Sequence, residues 1–358
     1  MINIFTVVGA RPQFVKAATI SRQVAEDPEV EEVLVHTGQH FDENMSNVFF
    51  KEMAIPEPKY NLGINALGHG AMTGRMLEGI EELILKENPD VVLVYGDTNS
   101  TIAGALAAKK IHVPVGHVEA GLRSFNMAMP EEVNRILTDR ISDFLYCPTD
   151  TAVKNLNREG FEAFPSEIVR TGDVMYDAAL FYAEKSAESA KVAREYAHQD
   201  FVLCTLHRAE NTDHPERLRA YVDGLNRIHQ EIMVICPLHP RTKKKLANFG
   251  IDLNVEVIDP VGYFDMVEFL KHAGMVITDS GGLQKEAFFF KSPCLTMRDQ
   301  TEWVELVEGG FNRLVPPDSN SLVTSFREMA DELFDFDRDL YGDGKAAEAI
   351  LKHIKSRP

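Results

Sequence analysis

Two kinds of chemistry can be read from residue types and spacing along this 358-residue chain. The first is proton transfer. Asp97 lies in Tyr95-Gly96-Asp97-Thr98, Glu119 in His117-Val118-Glu119-Ala120-Gly121-Leu122-Arg123, and Glu131 in Pro130-Glu131-Glu132-Val133-Asn134-Arg135. Asp97 and Glu119 each close an apolar run of strand length, with Glu131 a little further on and Arg123 and Arg135 nearby. Carboxylates beside arginines stay ionised, whereas one desolvated in a cleft holds a proton near neutral pH, so the group suits acid-base work. A solvated charge network would use the same residues, and Asp97 also suits a helix N-cap.

The second chemistry is anion binding. In Val276-Ile277-Thr278-Asp279-Ser280-Gly281-Gly282-Leu283-Gln284-Lys285-Glu286-Ala287 an apolar run stops at a polar pair, and two glycines precede a helix-forming segment. Glycines there admit a phosphate to the backbone N–H groups left over in a first helical turn. An ordinary turn with Ser280 as N-cap reads the same way. Arg11 and Lys16 follow Gly9 after the first apolar run, without the three spaced glycines of a dinucleotide fingerprint, and His207-Arg208 closes another run; all suit an anion. Trp303, the only tryptophan, suits the core or a ring-covering wall.

The elements that must position these groups alternate. Strand-length apolar runs at Ile2–Val8, Glu32–His36, Val91–Tyr95, Val113–His117, Phe144–Cys147, Phe201–Leu206, Met233–Cys236, Val255–Ile258, Met275–Thr278 and Pro293–Thr296 are separated by helix-periodic segments. Repeated β then α order predicts α/β architecture with parallel sheets covered by helices on both faces, in two sets. Periodicity is weakest near Ile168–Gly172, so the reading places one Rossmann-like domain at 1–171 and a second at 172–342. A terminal helix within 343–358 is expected to pack back on the first. In open α/β sheets ligands sit beyond the carboxyl ends of strands, where every candidate above lies.

Composition narrows the classes. A net charge of -18 argues against a nucleic-acid partner. No apolar run reaches the roughly 18 residues of a membrane span, and Met1-Ile2-Asn3-Ile4-Phe5 has no basic leader, so a cytoplasmic protein is expected. Cys147, Cys204, Cys236 and Cys294 each sit in an apolar run without Cys-x-x-Cys spacing, which favours buried free thiols over disulfides or a metal.

Taken in order, Gly9-Ala10-Arg11-Pro12, Gly38-Gln39-His40, Tyr95-Gly96-Asp97-Thr98, Pro114 to Arg123, Pro130-Glu131-Glu132-x-Asn134-Arg135, Thr171-Gly172-Asp173, His207-Arg208-x-Glu210-Asn211 and Thr278 to Ala287 resemble the non-hydrolysing UDP-N-acetylglucosamine 2-epimerases. The resemblance implies the glycosyltransferase-B architecture, two Rossmann-like domains facing across a cleft that holds a UDP-sugar, in a homodimer without cofactor or metal. It implies a reaction by loss and re-addition of UDP through a 2-acetamidoglucal intermediate, supplying surface polysaccharide precursors. Asp97, Glu119 and Glu131 would then be the acid-base group, with His207 at the departing diphosphate. Arg11, Lys16, Arg123, Arg135, Ser280, Gly281, Gly282 and Glu286 would hold substrate, Glu286 at the ribose. Gln39, His40 and His239 match a second, activating UDP-sugar site.

The sequence departs from many members at Ala10, Gln13, Ala209 and Trp303, and Gly68-His69-Gly70 stands where bacterial members place residues of the second site. These departures are similar to the branch acting on UDP-2,3-diacetamido-2,3-dideoxyglucuronate. Other readings are a UDP-sugar glycosyltransferase of the same architecture, a hydrolysing relative, and a non-catalytic sensor. A transferase needs one base and an acceptor groove, and a sensor gains nothing from three acids.

Overall fold

The computed structural model describes residues 1–39, 55–196 and 198–357. The chain forms two compact units, the first comprising Met1–Ala178 and Asp339–Pro358, the second Ala179–Arg338. The expected parallel α/β architecture is present in both.

Among the described residues of the first unit, seven parallel strands lie in the order β3-β2-β1-β4-β5-β6-β7. They are β1 (Ile2–Val8), β2 (Val30–His36), β3 (Tyr60–Asn61), β4 (Val91–Tyr95), β5 (Val115–Val118), β6 (Phe144–Cys147) and β7 (Glu167–Arg170). Continuous apolar runs form the inner strands because helices cover both faces, and all five residues of β4 are buried. The stretch of weak periodicity at Ile168–Gly172 supplies most of β7, an edge strand whose residues are all half-buried. A strand whose residues are all half-buried carries no alternation of buried and exposed positions, so its pattern was faint.

Helix Asn99–Lys110 packs close to the sheet because it is small: a Cβ on Gly104 would stand 3.1 Å from Val94 and 3.2 Å from Val7. Helix Ala346–Lys355 buries Ala346, Ala347, Ile350, Leu351 and Ile354. The backbone N–H groups of Ala346 and Ala347 donate to Asp177, and Lys355 pairs with Asp27 at 2.6 Å and Glu29 at 2.7 Å.

Among the described residues of the second unit, six parallel strands lie in the order β10-β9-β8-β11-β12-β13. They are β8 (Phe201–Thr205), β9 (Met233–Pro237), β10 (Glu256–Ile258), β11 (Met275–Thr278), β12 (Cys294–Thr296) and β13 (Asn312–Leu314). Its core divides over the two faces, with Leu218, Tyr221, Val222 and Leu225 on one side and Phe269, Leu270 and Ala287 on the other. All four cysteines are free and buried.

Counted from its own first strand, the first sheet runs 3-2-1-4-5-6-7 and the second 3-2-1-4-5-6. The order reverses between β1 and β4 in the first unit and between β8 and β11 in the second. At such a switch point the loops leave in opposite directions and open a crevice beyond the strand ends. Arg11 and Asp97 follow β1 and β4, and His207 and Ser280 follow β8 and β11.

Candidate active site

In the first unit the crevice is built from the turns after β1, β4 and β5. Gly9 follows β1, and a Cβ there would fall 2.1 Å from Ser100 Oγ and 2.2 Å from Thr37 Oγ1, so only glycine lets these turns meet. Gln13 then ties them: its Oε1 accepts from the backbone N–H of Gly9 at 2.8 Å and Ala10 at 3.0 Å. Its Nε2 donates to Tyr95 O at 2.7 Å and Thr98 Oγ1 at 2.9 Å. Arg11 stands exposed at the helix start and Lys16 is buried one turn on.

Asp97 and Glu119 converge on Gly96. Gly96 has φ +61, and a Cβ on it would lie 3.2 Å from Glu119 Oε2 and 3.4 Å from Lys16 Nζ. Lys16 pairs with Glu119, and Arg135 pairs with Asp97. Glu119 is held at φ 72, uncommon outside glycine, which is the backbone strain found where a side chain must be aimed. Asp97 keeps 30% of its side chain exposed, the open edge a substrate would need. Burial of the remainder pushes its pKa up; Arg135 opposes that and Glu119 adds to it. The N-cap of the following helix is Thr98, which accepts from Thr101 N, so Asp97 is not spent as a cap.

Helix Pro130–Ile141 braces this pair. Asn134 Nδ2 donates to Asp97 O at 2.9 Å, and Arg135 also binds Glu132 at 2.9 Å. Glu132 is fully buried and accepts from Ser124 N at 2.9 Å and Phe125 N at 2.8 Å. Glu131, its neighbour, stands exposed on the first turn, with no hydrogen bond joining it to Asp97 or Glu119. Arg123 is committed elsewhere: its guanidinium donates to Glu159 through two nitrogens at 2.7 Å and to Asp139 at 2.6 Å. With its donors engaged by protein acceptors, Arg123 serves the wall of the site rather than its opening.

In the second unit Asp279, fully buried after β11, accepts from the backbone N–H of His207 at 3.0 Å and Arg208 at 2.8 Å, fixing the turn after β8. The His207 ring is 45% exposed with Nδ1 3.4 Å from Asp279 Oδ1. Helix Gly281–Phe289 starts directly after Ser280, whose hydroxyl makes no capping bond to it. The first-turn N–H groups and the positive end of the helix dipole at Gly281 and Gly282 therefore retain the means to hold an anion. Trp303 is buried, and its indole N–H donates to Gly281 O at 2.9 Å, so it braces the glycine turn from the core side. Glu286 is buried on the same helix with Tyr263 OH at 3.5 Å.

Two arginines, Arg208 and Arg298, also reach this turn. A Cβ on Gly281 would lie 3.4 Å from Arg208 Nη2 and 3.7 Å from Arg298 Nη1, with Glu302 Oε1 at 2.7 Å. Arg208 was visible beside His207, but Arg298 is brought there only by the sheet order.

Of the residues matched to a second site, Gln39 caps a helix, its Oε1 accepting from Ser100 N at 3.1 Å and Ser100 Oγ at 2.8 Å. His239 accepts from Arg241 N at 3.1 Å at the start of helix Pro240–Phe249. His40 lies outside the described residues. Among the described residues no cluster of His, Cys, Asp or Glu is arranged to hold a metal ion, and no helix is long and apolar enough to cross a membrane.

The chain is similar to known proteins along almost its whole length. The UDP-2,3-diacetamido-2,3-dideoxy-D-glucuronate 2-epimerase of Pseudomonas aeruginosa is 54% identical over 354 residues, covering 99% of each chain. The crystal structure of Methanocaldococcus jannaschii UDP-GlcNAc 2-epimerase in complex with UDP-GlcNAc and UDP is similar at 40% identity and a TM-score of 0.86, covering 99% of each chain. A glycosyltransferase involved in lipopolysaccharide biosynthesis, at 12% identity and a TM-score of 0.59, shares the fold alone, which is of the glycosyltransferase-B class. The model of the UDP-N-acetylglucosamine 2-epimerase family matches residues 22–355. With that match over nearly the whole length, the chain belongs to the UDP-N-acetylglucosamine 2-epimerase family and is an epimerase, as its resemblance in sequence implied.

Proposed function

We propose that this enzyme inverts C2 of a UDP-linked 2-acetamido sugar by eliminating UDP and adding it back. The observation that carries the reading is the division of labour between two switch points. The turns after β8 and β11 offer an anion cradle at Ser280, Gly281 and Gly282 beside His207. The turns after β1, β4 and β5 offer carboxylates paired with Lys16 and Arg135. The C2 hydrogen of the intact sugar is not acidified by a carbonyl. As the bond from C1 to the diphosphate oxygen breaks, UDP leaves with the electron pair and C2–H becomes acidic. A carboxylate removes the proton to give the 2-acetamidoglucal. Protonation at C2 from the opposite face and attack of the UDP oxygen on C1 return the inverted sugar.

In this scheme Arg11, Lys16 and His207 meet the charge growing on the departing diphosphate, and Glu286 meets the ribose. A well-placed donor of that kind lowers the barrier by about 3 kcal/mol. Asp97, Glu119 and Glu131 share the proton transfers, and Arg135 keeps Asp97 ionised enough to act as a base. Arg123 supports the loop that carries Glu119. Two sugars fit the relatives: UDP-2,3-diacetamido-2,3-dideoxy-D-glucuronate, the substrate in the name of the 54% identical protein, and UDP-GlcNAc, bound in the 40% identical one. The reading carries with it a homodimer in the cytoplasm, the first of which light scattering on the purified protein tests.

Proton NMR in deuterated water with each nucleotide sugar tests the function and the choice of sugar together. Deuterium at C2 with a new anomeric signal and UDP still attached is the expected result. Release of free sugar and UDP, or no change with either sugar, overturns the reading.

A further inference from the structure

We propose that His117 is a positioning residue that carries a proton on both ring nitrogens and, as a fixed imidazolium, sets the aim of the Asp97 carboxylate. The proposal rests on the role given to Asp97 above. His117 lies on β5, fully buried. Its Nε2 is 2.7 Å from Gly96 O and its Nδ1 is 2.6 Å from Asp139 Oδ1. A carbonyl oxygen can only accept, so Nε2 bears a hydrogen. Asp139, also fully buried, has its other oxygen accepting from Gly121 N at 3.1 Å and Arg123 Nη1 at 2.6 Å. The Arg123 guanidinium and the Gly121 N–H both donate to it, and such donors favour the ionised carboxylate. An ionised carboxylate also only accepts, so Nδ1 bears a hydrogen as well.

The charges balance locally. Asp139 faces His117 and Arg123, and Arg123 is shared with Glu159. A buried charge compensated in this way is tolerated, whereas either member alone would be costly.

Its consequence lies at Gly96. With φ +61 and no side chain, the peptide joining Gly96 to Asp97 has little of its own to fix its orientation. His117 grips the carbonyl of Gly96 and Asn134 grips the next, that of Asp97, at 2.9 Å. Two successive carbonyls are thus held by separate side chains, while Arg135 holds the carboxylate itself. Asp139, Asn134 and Arg135 all come from helix Pro130–Ile141, so one helix fixes Asp97 through its backbone and its side chain, the imidazolium relaying the first contact.

The test is long-range proton–nitrogen NMR of the full-length protein labelled at histidine, at about pH 7.5. The expected spectrum holds a signal from a histidine with both nitrogens protonated that is missing from His117→Asn. A His117 signal with one bare nitrogen overturns the proposal. In kinetics, His117→Asn should lower kcat about 100-fold, the scale of a small misplacement of a reacting group, with KM and UDP affinity within about threefold of wild type. A kcat within twofold overturns the positioning role, and so does a loss confined to KM. If His117→Asn does not fold, Asp139→Asn replaces it: His117 should then keep hydrogen on Nε2 and lose it from Nδ1, with kcat reduced. If wild type epimerises neither sugar, the functional reading fails and takes the positioning role with it, while the spectrum still decides the proton count.

Discussion

Asp97 sits between opposed influences, and the balance should show in the pH dependence of turnover. Burial pushes its carboxyl up and Arg135 pulls it back, so removing the cation in Arg135→Gln should move the limb of the kcat/KM profile governed by Asp97 to higher pH. An unmoved limb would mean that Asp97 does not titrate in the rate-determining step. Asp97→Asn and Glu119→Gln, which cannot take a proton, should cost about 100- to 10,000-fold in turnover while calorimetry finds UDP bound as before. Glu32, outside the site, gives a stability test. Burial raises its pKa above the ordinary glutamate value although Thr6 Oγ1 donates to it at 2.6 Å. A carboxyl whose folded pKa is raised favours the fold when protonated; that contribution is present below the unfolded pKa and lost as pH rises through the folded one. Glu32→Gln should therefore melt higher than wild type at about pH 8 and alike near pH 4. Each kcal/mol gained appears as about 2–4 °C in a unit of roughly 200 residues such as the first. Equal melting at both pH values would show Glu32 to be solvated.

The elements were legible in proportion to their apolar length. Five-residue β4 is continuous and fully buried, so its pattern is unmistakable, whereas β3 has two residues and β13 three, too few for any period to register. The site was legible where chemistry sits at strand ends, as with Asp97, Glu119 and the Gly281 turn. It was illegible where partners meet through the fold: Glu132 reads like Glu131 in the sequence, yet one is buried against Ser124, Phe125 and Arg135 and the other is exposed. Arg298 reaches Gly281 only because β12 lies next to β11. Two glycines separate element from site. Gly9→Ala drives a methyl into Ser100 and Thr37, both buried, and should destabilise the first unit by about 1–3 kcal/mol as overpacking does. At Gly281 the nearest obstacle is the end of the Glu302 side chain, which can swing aside. Gly281→Ala should accordingly keep its melting temperature and lose at least about tenfold in UDP affinity, because the methyl fills the anion's approach. Unchanged affinity by calorimetry would remove the glycine turn from the nucleotide site.

At the scale of the whole chain, the first unit is assembled from two separated segments, and the last of them is held by apolar contact. Helix Ala346–Lys355 buries Ile350, Leu351 and Ile354 as well as two alanines, and its Lys355 reaches back to Asp27 and Glu29 at the other end of the sequence. Burying three large aliphatic side chains contributes about 1.5–3 kcal/mol each, roughly 5–9 kcal/mol together, an upper bound because unfolded chains already hide some surface. That is comparable with the entire stability of an ordinary domain, about 5–15 kcal/mol. A chain ending at Gly344 should therefore lose the cooperative melting of the first unit, and with it all epimerisation. The second unit, whose strands β8 to β13 all lie within Ala179–Arg338, should still melt as a unit and bind UDP within a few-fold of the full chain. Calorimetric scans with and without UDP separate the outcomes, since the ligand raises only the transition of the unit that binds it. Joint loss of both transitions would show that the two units fold as one, and retained turnover would show that the terminal helix is dispensable to the carboxylate site.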